Sequence, residues 1–235
     1  MNFEKDPLGY AIRDYVENGF SENIKVMADL CEDDVLPVEY LFRTEEMMPE
    51  LELKALDLCE GKILDIGAAA GCHSYILNKR GFDVSAIDTS KGAISHLQQL
   101  DIAAEHKDFF DCEGQFDTLL ILMNGIGISG KLIHLPRFLK QIKSLLKEGG
   151  RALCDSTDLS YLYEEEDGSM WVDLNGSYRG EMQFKMKYKE VESDWFNWLY
   201  IDLELLKQYA EDEGLNCELI MTGPSNNYLV SLTHK

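Results

Sequence analysis

The sequence predicts a doubly wound α/β domain with a mostly parallel sheet, and three observations lead there. Short apolar runs alternate with helical stretches from residue 62 onward, which is the rhythm of strand–helix–strand units. Residues 116–123 (FDTLLILM) are apolar on both faces, as the central strand of a sheet covered on both sides must be. Residues 62–66 (KILDI) run into a glycine-alanine turn and then directly into a helix, which puts a ligand-binding bend at the carboxyl end of a strand.

Taken in order, residues 6–60 read as helical, with Pro7, Pro37 and Pro49 as breaks and Gly61 as a C-cap after Leu51, Leu53, Leu56 and Leu58. The first core strand, 62–66, is followed by a helix over 71–79, a second strand over 82–87 and a second helix over 90–100. Residues 102–106 make a weaker third strand, and 116–123 the fourth. Pro136 suits the first turn of the next helix. Leu135, Phe138, Leu139, Ile142, Leu145 and Leu146 recur there at helical spacing. The pair Gly149-Gly150 is expected to end that helix, and residues 151–154 to begin the fifth strand.

The rhythm then breaks. Residues 157–176 are acidic and irregular, while 183–189 (QFKMKYK) alternate strictly and form an antiparallel hairpin with 195–201 (WFNWLYI). Its lysine row, Lys185, Lys187 and Lys189, reads as a solvated face. A helix over 203–209 and strands over 217–221 and 228–232 close the chain, around the turn Gly223-Pro224-Ser225-Asn226. The expected organisation is one domain over 1–235: a helical cap (1–60), a core (61–156), an insertion with a hairpin (157–200) and a terminal helix with two strands (201–235).

Composition narrows the function. With 22 Lys and Arg against 43 Asp and Glu, the net charge is −21. Such a surface disfavours polyanions, whose binding rests on Lys and Arg displacing condensed counterions. The six cysteines are scattered, with no C-x-x-C pair and no His clustering at zinc spacing, so free thiols and no metal are expected. The residues after Met1 show no basic stretch leading into an apolar one, and the longest apolar run is far short of a membrane span. A cytoplasmic protein without membrane contact is the expectation.

The chemistry is carried by residues 63–74, ILDIGAAAGCHS. Gly67 and Gly71 permit positive φ and close approach of the backbone to a ligand. A dinucleotide fingerprint starting at Gly67 would need glycines where the chain has Ala69 and Cys72. A Walker loop would need a lysine that is also absent. The segment resembles the first motif of class I S-adenosylmethionine-dependent methyltransferases, a strand ending in Asp/Glu-x-Gly-x-Gly-x-Gly. Asp65-Ile66-Gly67-Ala68-Ala69-Ala70-Gly71 matches it, with Ala69 at the middle glycine.

The resemblance covers about residues 60–156 and implies a seven-stranded sheet in the order 3-2-1-4-5-7-6, with the last strand antiparallel. It also implies S-adenosylmethionine as cofactor. Asp65 would orient the loop and the methionine amino group, and Gly67, Ala68, Ala69 and Gly71 would let backbone lie against the cofactor. Asp88, with Thr89 beside it, would grip the ribose hydroxyls, and a carboxylate suits a vicinal diol because its two oxygens accept two hydrogen bonds. Asp108, Phe109 and Phe110 would meet the adenine, and Met123 and Asn124 would sit at the lip where cofactor and acceptor meet. Taken singly, Asp65 and Asp88 also read as capping residues, and the phenylalanines as core.

Methyl transfer from a sulfonium can proceed by alignment and desolvation, so no catalytic residue is assigned. A general base is needed only when the acceptor must lose a proton. Asn124, His134, Asp155 and Asp158 lie at or near strand ends where one could act, and Tyr10, Tyr15, Trp171 and Tyr178 are candidate pocket walls. The expected acceptor is a small molecule. A protein side chain is the alternative, as is a non-catalytic regulatory protein binding S-adenosylmethionine or S-adenosylhomocysteine.

Overall fold

The computed structural model describes residues 4–163 and 177–235. Helix α1 (Pro7–Asn18) begins at Asp6, whose carboxylate accepts the Gly9 N–H at 2.8 Å, and ends at Gly19 in the left-handed region. Strands β1 (Ile24–Ala28) and β2 (Asp34–Leu36) follow, then helix α2 (Glu50–Asp57). The core runs β3 (Lys62–Ile66), α3 (Cys72–Lys79), β4 (Asp83–Asp88), α4 (Lys91–Gln99) and β5 (Ala103–His106). It continues through β6 (Phe116–Ile121), α5 (Leu135–Leu145) and β7 (Leu146–Thr157). The rest comprises β8 (Glu181–Tyr188), β9 (Val191–Glu192), β10 (Phe196–Leu199), α6 (Leu203–Asp212), β11 (Leu215–Thr222) and β12 (Asn227–His234).

The main sheet has seven strands in the order β11-β12-β7-β6-β3-β4-β5. Pairings from β5 across to β7 are parallel, and β12 runs antiparallel to both β7 and β11. This is the sheet expected from the resemblance. Helices α5 and α6 bury Phe138, Leu139, Ile142 and Leu206 against one face. On the other, α2 and α3 cover Ile63, Val84 and Leu120, and α4 packs Ile94 and Leu97 on Ala86 and Ala104. Strand order reverses between β3 and β6, which opens a crevice beyond their carboxyl ends. Among the described residues no helix is long and apolar enough to cross a membrane.

Three sequence expectations are corrected. The segment 6–60 is not helical throughout, because β1 and β2 pair with each other and β1 also pairs with β8. The hairpin of β8 and β10 therefore belongs to a five-stranded second sheet, β10-β8-β1-β2 with β9 beside β8. Ile24 and Val26 supply the β-branched, alternating face that this pairing needs. Helix α2 stops at Asp57, before Gly61, whose positive φ leaves the space of a Cβ to the Asp117 carboxylate. The helix before the fifth strand likewise ends at Leu145, and Gly149-Gly150 lie inside β7, where its register against β6 shifts.

Helix α1 ties the second sheet to the core. Its Gly9 sits against Gly92 of α4 so closely that a Cβ on Gly92 would lie 2.3 Å from the Gly9 Cα. Asp6 accepts from the Ser90 hydroxyl at 3.0 Å and from the Gly92 N–H at 3.1 Å. On its other side Asp14 accepts from Tyr188 Oη at 3.0 Å and Lys189 Nζ at 2.6 Å. Lys185 and Lys187 pair with Glu192, so the whole lysine row is engaged within the protein.

Candidate active site

The turn after β3 is built on backbone hydrogen bonds. Gly67 and Ala68 both donate to the Ile87 carbonyl, at 2.9 and 3.2 Å, and Gly71 donates to Ala68 at 2.8 Å. Gly67, Ala69 and Gly71 all have positive φ, at 74°, 48° and 81°. Ala69 therefore adopts a conformation that costs an L-residue about 1 kcal/mol. Its N–H donates to Asp88 Oδ2 at 2.8 Å, while Oδ1 of the same carboxylate accepts the Ser90 N–H at 2.7 Å. Burial raises the Asp88 pKa, and these two N–H donors oppose the rise. Asp65 lies beneath the turn, accepting the Ser74 hydroxyl at 2.6 Å, and burial pushes its pKa up too.

A cleft of ≈ 600 Å³ opens over this turn, lined on the main-sheet side by Gly67, Ala69, Asp88, Thr89, Asp108 and Phe110, with Phe109 at its floor. Phe109 is mainly core, packed on Phe138 at 5.2 Å, whereas Phe110 is half-buried under the Arg137 guanidinium at 4.2 Å. Asp108 accepts the Phe110 N–H at 2.8 Å. The opposite wall is drawn from the N-terminal part and the 157–200 insertion, the two segments that the resemblance puts over the cofactor. It comes from the second sheet, through Met186, Phe196 and Trp198, and from the N-terminal segment at Lys5–Leu8. Lys5 reaches across to Asp194 at 2.8 Å.

The cleft suits the implied cofactor. Its volume falls in the range of nucleotide-sized ligand sites. A Cβ on Gly67 would meet nothing nearer than Ile128 Cδ1 at 3.7 Å, so backbone is open to a ligand there. Both Asp88 oxygens keep acceptor capacity for a diol.

Other expected site residues lie elsewhere. Asp65, Ala68 and Gly71 support the turn from below, and a Cβ on Gly71 would clash with Leu97. Met123 and Asn124 are both left-handed, at φ 64° and 57°, beyond the end of β6. Met123 packs toward Ile12 and Leu41, and Asn124 Oδ1 accepts the Thr157 hydroxyl at 2.7 Å. Asp155, only 5% exposed, accepts the Gly125 N–H at 3.3 Å. Burial raises its pKa to about 6. Asp158 is half-buried and caps the following turn through the Ser160 N–H at 2.8 Å.

Tyr10, Tyr15, His134 and Tyr178 do not line this cleft. Tyr10 and Tyr15 pack in the apolar cluster between α1 and the second sheet, with Tyr15 stacked on Phe42 at 4.4 Å. His134 is an exposed residue preceding α5. Tyr178 clasps Asp202 at the start of α6, donating to its carboxylate at 2.8 Å. Trp171 lies outside the described residues.

A buried ionic cluster escaped the sequence reading. Glu52 of α2 is bonded by Arg43 and, at 2.6 Å, by His73 Nε2 near the start of α3. Arg43 also donates to the Tyr40 carbonyl at 2.6 Å and stacks on the Tyr40 ring at 4.1 Å. Burial alone would raise the Glu52 pKa, but His73 and Arg43 together hold it below the usual carboxylate range. No local motif marks such a cluster, because its members come from separate elements.

Sheet order, glycine turn and diol-sized carboxylate define a nucleoside-binding α/β enzyme. Residues 39–219 match the family model for a methyltransferase domain. The chain is 41% identical to an S-adenosylmethionine-dependent methyltransferase from Bacteroides fragilis solved with S-adenosyl-L-homocysteine, over 100% of this chain and 97% of that one, at a TM-score of 0.93. It shares the fold of DesVI from Streptomyces venezuelae, at 15% identity and a TM-score of 0.55 over 78% of this chain and 90% of that one. A cypemycin N-terminal methyltransferase from Streptomyces is 29% identical over 102 residues, which is 41% of this chain and only 42% of that protein. The chain belongs to the S-adenosylmethionine-dependent methyltransferase family, and S-adenosylmethionine is its cofactor.

Proposed function

We propose that the enzyme methylates the nitrogen of a small, neutral or cationic amine, with Asp155 receiving the proton that the amine must lose. The observation that carries this reading is the placement of Asp155. It is a buried carboxylate at the carboxyl end of β7, next to the Asn124–Gly125 turn that follows β6. With its pKa raised by burial to about 6, it is ionised at neutral pH yet basic enough to take a proton.

S-adenosylmethionine supplies a methyl group on a sulfonium, poised for in-line displacement. The turn at Gly67 and Ala69 and the Asp88 carboxylate bind and orient the nucleoside. Asp108 and Phe110 hold the adenine end, and the second sheet limits access of water to the cleft. Asn124, fixed by Thr157, and Asp155 would face the acceptor. Proton transfer to Asp155 frees the nitrogen lone pair. The new N–C bond would then form as the sulfonium C–S bond breaks, leaving S-adenosylhomocysteine and the methylated ammonium ion.

A peptide or protein amine is the second reading, favoured by the partial likeness to an N-terminal methyltransferase. A panel of small amines, alcohols, thiols and short peptides, assayed by S-adenosylhomocysteine release, separates the two. The expected outcome is turnover on small amines, with Asp155→Asn lowering kcat about 10²–10⁴-fold while still binding S-adenosylhomocysteine. Turnover confined to alcohols or thiols, or an undiminished Asp155→Asn rate, would contradict it.

A further inference from the structure

The wall of the cleft formed by β10 carries two aromatic rings. Phe196 and Trp198 alternate along the strand and share a face. Their rings meet edge to face at 6.1 Å, and both line the cleft opposite the glycine turn and Phe110. Phe196 is braced by Phe184 of β8 at 6.3 Å. Trp198 is seated against the turn after β6, in space that only a glycine leaves, since a Cβ on Gly127 would lie 2.0 Å from the indole Nε1. Both rings are half-buried, as a surface awaiting a flat ligand would be.

Adenine offers two apolar π faces and a polar edge. In the cleft the carboxylates Asp88 and Asp108 lie on the main-sheet side, while the second-sheet side adds Met186, Phe196 and Trp198 together with Ser193 and Asn197. We infer that Phe196 and Trp198 form the outer wall of the adenosine site and stack on the purine. The second sheet is then a constituent of the cofactor site as well as a cover for the acceptor. This holds whatever the acceptor is, because it concerns only the nucleoside.

The test uses the full chain with Trp171→Phe and Trp195→Phe, which leaves Trp198 as the only tryptophan. S-adenosylhomocysteine should change its emission with a midpoint equal to the calorimetric Kd. Adenosine at higher concentration should reproduce the change, and methionine should not. Trp198→Ala should weaken S-adenosylhomocysteine binding about 10-fold or more, and Trp198→Phe should restore most of it. Should Trp198→Ala not fold, Phe196→Ala serves in its place, and it should weaken binding likewise. Emission that does not respond to bound S-adenosylhomocysteine would overturn the inference even if Trp198→Ala binds poorly, because Trp198 would then act only by packing on Gly127. A response to methionine rather than adenosine would overturn it as well.

Discussion

The Asp88 carboxylate accepts the Ala69 N–H at 2.8 Å, so the end of β4 holds the bend of the turn that follows β3. One side chain thus fixes the loop and presents its remaining lone pairs to the cleft. Asp88→Ala should weaken S-adenosylhomocysteine binding by about 1.5–3 kcal/mol, the scale of losing charge-assisted hydrogen bonds. Calorimetry showing unchanged affinity would remove Asp88 from the ribose site. Ala69→Gly should relieve the positive φ of 48° and raise Tm. The gain, net of the added unfolded-state entropy, is below about 1 kcal/mol, or about 2 °C.

Glu52 holds two buried partners, Arg43 and His73, and its loss leaves the Arg43 guanidinium without its carboxylate. Glu52→Ala should destabilise the fold by about 3–5 kcal/mol, the usual result of stranding a buried charge. Denaturant unfolding measures this directly. A change below about 1 kcal/mol, the scale of an exposed pair, would mean that Arg43 reaches water in solution.

Asp155 makes a pH-dependent contribution of definite sign. Folding raises its pKa from about 3.9 to about 6, so the folded protein holds that proton more tightly than the unfolded chain. The associated stability is fully present below the unfolded value and is lost as pH rises to about 6. Above that pH the folded state carries a constant penalty, about 3 kcal/mol at most. Asp155→Asn cannot ionise, so it should unfold at a higher temperature than the wild type at neutral pH, with the difference vanishing toward pH 4. Activity should move oppositely, falling below pH about 6 as the base is protonated. A variant less stable than the wild type at neutral pH would contradict this account of Asp155.

Much of this was legible in the chain. The run ILDIGAAAGC places a buried strand, a turn and a helix without ambiguity, and Asp88, Asp108 and Phe110 follow at successive strand ends. The N-terminal strands were not legible. IKVMA and DVL are too short to show a period, and they are strands only because β8, far along the chain, pairs with β1. For the same reason Phe196 and Trp198 read as an ordinary hairpin, and their place in the cleft depends on tertiary packing. Tyr10 and Tyr15 pack toward the second sheet, and an aromatic on an amphipathic helix looks the same in sequence whether it faces a ligand or a neighbouring sheet.

Nucleic acid should not be the acceptor. At net charge −21 and with the lysines of β8 engaged by Glu192 and Asp14, no cationic track among the described residues offers itself to a phosphate backbone. RNA and DNA affinities should be no tighter than about 100 μM at physiological salt. Fluorescence titration with tRNA checks this, and tight binding with a steep salt dependence would contradict it.

Methyl transfer to a small amine is the central claim, and trideuteromethyl-labelled S-adenosylmethionine tests it most directly. The enzyme is incubated with a metabolite extract divided into small-molecule, peptide, protein and RNA fractions, and each is searched by mass spectrometry for the label. Trideuteromethyl is expected on nitrogen in the small-molecule fraction, abolished by Asp155→Asn. Label confined to protein or RNA, or carried on oxygen or sulfur, would contradict it.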